Sequence, residues 1–428
     1  MEENEKNRLI NLIKQEVIPA IGCTEPMAVA LCAAKSVEVL GCKPSEIKVF
    51  LSANVLKNAM GVGIPGTGGM IGLPIAIALG ALAGKSEYLL EVLKDVNNDD
   101  LGNAKKFIDE KRISISLKES IEEKLYIEVI CKSGNDQSMV VISGEHTNFT
   151  YISRNNDVIL NYQAKESMRE NNEQYELSLR KVYDFAVNTP LNEISFILDS
   201  SKLNKDAAEE SFKGNYGHGL GKLLSSTENY QMVGNNVFSK ILSYTSAACD
   251  ARMAGAKIPV ITNSGSGNQG IAATLPVTIY AENIEASEEC LIRALTLSHL
   301  TVIYIKQNHG RLSAQCGCVV AATGSACGLV YLMGGKYEHV SFAVKNMIAN
   351  LTGMICDGAK PSCSLKVASG VATAVLSAML AMKEKCVTSV EGIIDDDVDK
   401  SIANLTKIGS RGMSETDKMV LEIMTNKN

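Results

Sequence analysis

Between residues 113 and 158 apolar and polar side chains alternate with a period of two, and beyond residue 180 that period gives way to apolar spacing at i, i+3 and i+4. A single layer cannot satisfy both patterns. The runs ISISLKES, KLYIEVICKS, SMVVISGEHT and NFTYISRN, separated by the turn signals SGND, SGEHT and RNND, predict an antiparallel meander. KVYDFAVN, LNEISFILDSSKL, NVFSKILSYTSAACDARMAG, ECLIRALTLSHLTVIYI and LKVASGVATAVLSAMLAMK predict helices. Ahead of the meander lie a helix near 5–17 broken at Pro19, a second from Pro26 to about Leu40 stopped by Gly41, a strand in IKVFLSAN and a helix ending near Gly84. The expected fold class is α+β: an N-terminal domain with helices and an antiparallel sheet, then a mainly helical C-terminal domain. The polar, charged stretch 160–180 sets the boundary, giving domains 1–165 and 166–428.

With 46% hydrophobic and 21% charged residues the composition is that of a globular chain. A net charge of -6 without a basic cluster, no Trp and only 5% aromatics argue against nucleic acid as a partner. The start, MEENEKNRLINLIKQ, is charged and amphipathic and lacks the apolar region of a signal peptide. Residues 312–335 carry no charge over a length that could span a bilayer. Their Gln315, Cys316, Cys318, Cys327 and several Gly, Ser and Thr residues fit a buried helix of a soluble core better. The expectation is a cytoplasmic protein with no membrane partner, its assembly as a homodimer left open.

Twelve cysteines in a reducing compartment divide among packing, catalysis and metal binding. Cys32, Cys42, Cys131, Cys249, Cys290 and Cys386 read as small hydrophobes. In PAIGCTEPMAVALCAAK, Pro26 suits the first helical position and Thr24 or Glu25 the cap, which leaves Cys23 just ahead of a helix N-terminus. The positive end of a helix lowers a thiol's pKa, so Cys23 could serve as base, nucleophile or metal ligand, or be an ordinary loop cysteine.

The loops NAMGVGIPGTGGMIG and NSGSGNQG expose backbone N–H groups able to hold a phosphate or an amino-acid carboxylate, or else serve close packing. Neither is a P-loop or a dinucleotide fingerprint. Cys316, Cys318, Cys356 and Cys363 match neither zinc-finger nor ferredoxin spacing. Three cysteines from separate loops suit a cluster with one iron open to substrate, or are scattered buried thiols. His218 and His309 sit in Gly-flanked loops that could reach a site, while His146, His299 and His339 read as structural. Glu25, Asp357, Lys366 and Asn308 are supporting polar groups.

Taken in order, GCTEPMAVA, SANVLKNAMGVGIPGTG, NSGSGNQGIAATLPV and CDGAKPSCSLK resemble the L-cysteine desulfidase family, formerly UPF0597 and related to iron–sulfur L-serine dehydratases, over essentially the whole chain. The resemblance implies a pyridoxal-phosphate-independent [4Fe–4S] enzyme that converts L-cysteine, its small-molecule amino-acid substrate, to pyruvate, ammonia and hydrogen sulfide. It implies Cys316, Cys356 and Cys363 as cluster ligands, with Cys318 competing for the first place, and Cys23 as catalytic base. Thr24, Glu25, Asn54, Asn58, Thr67, Ser264, Ser266, Asn268 and Lys366 are the candidate substrate-binding residues. The alternatives are an iron–sulfur dehydratase of L-serine or another β-substituted amino acid, a cluster-based redox sensor, and a pyridoxal phosphate lyase.

Overall fold

The computed structural model describes residues 2–119, 121, 123, 125–162, 177–309 and 314–426. The expected boundary at 165/166 lies outside the described residues. The chain opens with α1 (Glu3–Glu16), β1 (Pro19–Ile21), α2 (Thr24–Leu40), β2 (Glu46–Leu51), α3 (Ala53–Ala59), α4 (Leu73–Ala83) and α5 (Asn98–Asp109). β3 (Ile113–Leu117), β4 (Tyr126–Ser133), β5 (Asp136–Ser143), β6 (Phe149–Arg154) and β7 (Asp157–Asn161) follow. As the sequence predicts, α2 stops where Gly41 turns left-handed at φ +80°.

The sheet has six strands in the order β3-β2-β4-β5-β6-β7. β4 to β7 form the expected meander, turning where Gly134, Gly144 and Asn155 have positive φ. β3 departs from the expectation. It lies on the far side of β2 and runs parallel to it, because α3, α4 and α5 carry the chain back before it re-enters the sheet. Period-two alternation is the same for a parallel edge strand and an antiparallel one, so the pattern could not separate them. α2 packs across β4 and β5 over Ile127, Val129, Val140 and Ile142, all buried.

Helices dominate the remainder: α6 (Leu179–Asn188), α7 (Leu191–Ile194), α8 (Leu198–Lys213), α9 (Leu220–Ser225), α10 (Tyr230–Val233) and α11 (Val237–Met253). After the short β8 (Pro259–Ile261) come α12 (Gly267–Asn283), α13 (Glu288–His309), α14 (Gly317–Leu332), α15 (Tyr337–Leu351), α16 (Cys363–Ala381), α17 (Val398–Lys407) and α18 (Ser414–Thr425). The uncharged stretch of the sequence becomes α14, surrounded by α12, α13, α15 and α16 and buried on nearly every face. Gly324 permits that closeness, since a Cβ there would come within 2.4 Å of the Ser298 carbonyl. Among the described residues α16 alone is long and apolar enough by length and composition to cross a membrane, and half of its apolar window is buried against the core.

The two cores exchange chain ends. Leu9, Ile10 and Ile13 of α1 bury in the helical core, and β1 pairs antiparallel with β8, Pro19 opposite Ile261. Leu421 of α18 buries in the sheet's core. At about 1.5–3 kcal/mol for each fully buried Leu or Ile, these few side chains anchor both termini. They also bring the GCTEP loop to the loop after β8 and α18 to α3.

Candidate active site

Gln315 and Ile355 form an isolated antiparallel bridge that lays the segment before α14 beside the segment before α16. The Cys316 N–H donates to the Met354 carbonyl at 2.8 Å, and the Cys356 N–H to the Ala314 carbonyl at 2.6 Å. Cys316 is the N-cap of α14 and Cys363 the first residue of α16, so two of the three thiols stand at positive helix ends. The Cys363 thiol donates to the Gly358 carbonyl at 3.6 Å. Gly358 has φ +89°, and a Cβ on it would meet the Lys57 carbonyl at 2.1 Å, so the CDGAKPSC loop seats directly on α3.

The three thiols lie within reach of one another's charge. Burial pushes Cys363 up to about 11. Burial and the Cys316 charge raise Cys356, while Lys57 and Lys366 pull it back. A hydrogen bond between Cys316 and Cys318 lowers the first and raises the second, so Cys316 is the member of the pair drawn toward thiolate.

Positive charge gathers around this loop. Lys57 is only 3% exposed and pairs with Asp417 of α18. Lys366 donates to the Ile355 carbonyl at 2.7 Å and pairs with Asp357, which also meets Lys360 at 2.6 Å. Burial acts to raise the Asp357 carboxyl, but the bonds from the two lysines outweigh it and hold the group at about 2. Behind Cys316, the Gln315 side-chain oxygen lies 2.7 Å from the His309 ring and its nitrogen donates to the Thr352 carbonyl at 2.8 Å.

Among the described residues no three His, Cys, Asp or Glu side chains close on the coordination sphere of a single ion. A polynuclear cluster makes a different demand, since each thiolate goes to its own iron. Three neighbouring thiols, two helix N-termini and the Lys57 and Lys366 ammonium groups make a donor set that fits an anionic iron–sulfur cluster.

Cys23 is the N-cap of α2, a place expected for Thr24 or Glu25; the Thr24 hydroxyl instead donates to the Glu25 carboxylate at 3.1 Å. Cys23 is 1% exposed, and burial pushes its thiol up to about 12 against the lowering charge of Arg252. The expected lowering by the helix end is therefore reversed by desolvation. Arg252 of α11, itself buried, donates to the Gly22 carbonyl at 3.1 Å and to Asn268 Oδ1 at 3.0 Å, tying the GCTEP loop to NSGSGNQG. Sequence reasoning missed Arg252. Its only signal is a charge inside the otherwise small and apolar run SAACDARMAG. Cys249, read from sequence as packing, sits within reach of the charges of Cys363 and Cys23.

The other candidates divide. Asn54 and Asn58 lie half-buried one turn apart on α3, on either side of Lys57, and their side chains make no hydrogen bond among the described residues. Thr67 is buried and uses its hydroxyl within its own loop, donating to the Ile64 carbonyl at 2.7 Å. Ser264, at φ +48°, donates to Asn263 Oδ1, and Asn268 is engaged by Arg252. Ser266 is the N-cap of α12 with its hydroxyl unused as a cap. His299 is structural as expected: buried between Asn263 and Thr274, it holds the loop that carries Ser264. His218 is exposed.

Residues 87–422 match the family model described as serine dehydratase alpha chain. The chain belongs to the serine dehydratase alpha chain family. The matched range takes in Arg252, Cys316, Cys356 and Cys363, whereas Cys23 and α3 precede it. Membership gives the coarse class, an iron–sulfur lyase of the dehydratase type. Full-length relatives carry the name UPF0597 protein. One from Bacteroides fragilis is 68% identical over 427 residues, covering 100% of both chains. One from Porphyromonas gingivalis is 53% identical over 433 residues, again covering 100% of both. One from Oleidesulfovibrio alaskensis is 42% identical over 424 residues and 99% of both.

Proposed function

We propose that this chain is a cytoplasmic, pyridoxal-phosphate-independent L-cysteine desulfidase that eliminates sulfide from L-cysteine. The observation that supports the reading is the Gln315–Ile355 bridge, which sets Cys316 and Cys356 on facing backbone, with Cys363 at the start of α16 within reach of both their charges. Those three thiolates hold a [4Fe–4S] cluster, which when bound supplies a Lewis acid able to help sulfide depart. Lys57 and Lys366 offset the charge of the thiolates.

Cys23 receives the α-proton. Its burial excludes water from the transfer but also holds the resting side chain as the thiol, and the Arg252 charge beside it opposes that burial, easing the loss of the proton that a base must shed first. Loss of the α-proton and cleavage of the C–S bond give aminoacrylate and sulfide. Water then converts aminoacrylate to pyruvate and ammonia.

A second reading, dehydration of L-serine to pyruvate and ammonia, is favoured by the description of the matched family. The leaving group is the only chemical difference. Anaerobically reconstituted enzyme given each substrate in turn separates the two. Sulfide and pyruvate released in equal amounts from L-cysteine, with slower pyruvate release from L-serine, supports the desulfidase. The reverse preference assigns the dehydratase.

A further inference from the structure

At the start of α12 two buried side-chain atoms have no hydrogen-bond partner among the described residues: Nε of Arg252, which lies beside Cys23, and Oε1 of Gln269. Arg252 is 6% exposed; its terminal nitrogens donate to the Gly22 carbonyl and the Asn268 amide oxygen, and the guanidinium also faces the Cys23 thiol, all neutral acceptors at rest. Among the described residues no carboxylate pairs with it. The nearby Asp250 of α11 turns one carboxylate oxygen away, to accept from the Gly221 N–H at 3.1 Å. With Cys23 held as the neutral thiol by burial, this guanidinium has no counter-ion, which is costly unless an anion reaches it. The guanidinium also lies against Gly267, the first residue of α12, where a Cβ would come within 2.1 Å of Nε. The first-turn N–H groups of α12 have no carbonyl to meet within their helix, and the helix dipole adds positive potential there.

Gln269 follows two residues along the same turn. Its side-chain amide reaches toward Gly317, where a Cβ would lie 2.9 Å from the amide carbon and nitrogen, and so toward Cys316. An unpaired donor on a cation and an unpaired amide oxygen thus stand on one helix start, between Cys23 and Cys316.

We propose that this helix start is the amino-acid subsite: Arg252 and the first turn of α12 hold the substrate's α-carboxylate, and Gln269 accepts from its α-ammonium group. A free amino acid satisfies both orphaned atoms at once, and its α-carbon then lies between Cys23 and the cysteine loop. The inference rests on the amino-acid lyase reading and adds to it the residues that select a zwitterion. Asn268 and Ser266 frame the turn, and Arg252 and Gln269 make the contacts.

The test removes the charge from the ligand as well as from the protein. L-Cysteine, L-cysteinamide and 3-mercaptopropionate are titrated calorimetrically into anaerobically reconstituted full-length protein. A site built around paired polar groups rejects a ligand lacking one of them strongly, so wild type should bind L-cysteine at least ~100-fold tighter than either analogue. Arg252→Gln should erase the preference over the amide, and Gln269→Leu the preference over 3-mercaptopropionate. Equal binding of acid and amide by wild type overturns the proposal, whether or not the variants fold. So does an Arg252→Gln protein that melts like wild type and keeps the preference for the acid. L-Serine and L-serinamide are run in parallel. If they show the acid preference while no sulfide is released from L-cysteine, the subsite stands and the desulfidase reading falls.

Discussion

Gln315 and Ile355 pair as an antiparallel bridge, and that pairing sets Cys316 and Cys356 on facing stretches of backbone. Cys318 enters α14 beyond the bridge and is hydrogen-bonded to Cys316. Cys316→Ala should therefore lose most of the iron taken up on reconstitution, and Cys318→Ala should keep it. Iron per chain and the visible absorbance of the two variants check this, and the opposite order moves the ligand to Cys318.

Gly358 is held at φ +89° with its α-carbon against the Lys57 carbonyl. Gly358→Ala combines an unfavourable left-handed conformation with a clash against backbone. It should cost about 1–3 kcal/mol of stability and lift the cysteine loop from α3. Denaturant unfolding gives the first quantity, and a lowered iron content at equal folded protein gives the second.

Lys57 lies 3% exposed beside Cys356 and depends on Asp417, which is 26% exposed, at the other end of the chain. Removing one member of a fully buried pair costs about 3–5 kcal/mol, and the partial exposure of Asp417 lowers that to about 2 kcal/mol for Asp417→Asn. Lys57→Met combined with Asp417→Asn should recover most of the loss, because no buried charge is then left unpaired. Unfolding midpoints of the single and double variants check the cycle.

Asn263 donates to Nδ1 of His299 at 3.0 Å, so the ring proton sits on Nε2 and goes to the Thr274 hydroxyl, whose own hydrogen bonds the Gly270 carbonyl. The ring is neutral, its pKa driven by burial from 6.5 to about 3. Below pH 6.5 the unfolded chain takes up a proton that the folded chain refuses. The stability His299 allows is therefore complete above pH 6.5 and falls as pH drops toward 3, by about 1.4 kcal/mol per unit. His299→Gln should flatten that part of the stability-against-pH curve, measured by denaturant midpoints between pH 7 and 4.5. An unchanged slope would contradict the assignment.

The parts of the fold legible in sequence were those with local causes. Gly41 ends α2 because only a left-handed residue closes that turn, and Gly134 and Asn155 turn the meander for the same reason. The direction of β3 was not legible, since it depends on where three intervening helices deliver the chain. In the site, the cysteine spacing suggested a cluster but could not show the bridge that joins Gln315 to Ile355. Thr67 and Ser264 looked available as loop hydroxyls, yet each is used by its own loop. Arg252 and Gln269 stood out only once burial showed atoms without partners, a property of tertiary packing that no local pattern carries. The expected acidity of Cys23 rested on its helix end alone, and burial proved the larger effect.

The most direct test of the account is iron and acid-labile sulfide per chain after anaerobic reconstitution of wild type and of Cys356→Ala. Cys356 is chosen because its backbone, held to Ala314, is set by the loop and not by its thiol. A [4Fe–4S] cluster on Cys316, Cys356 and Cys363 requires about four irons and four sulfides per wild-type chain, with cluster content collapsing in the variant at an unchanged melting temperature of the cluster-free protein. A cluster of the same content in both proteins would contradict the account.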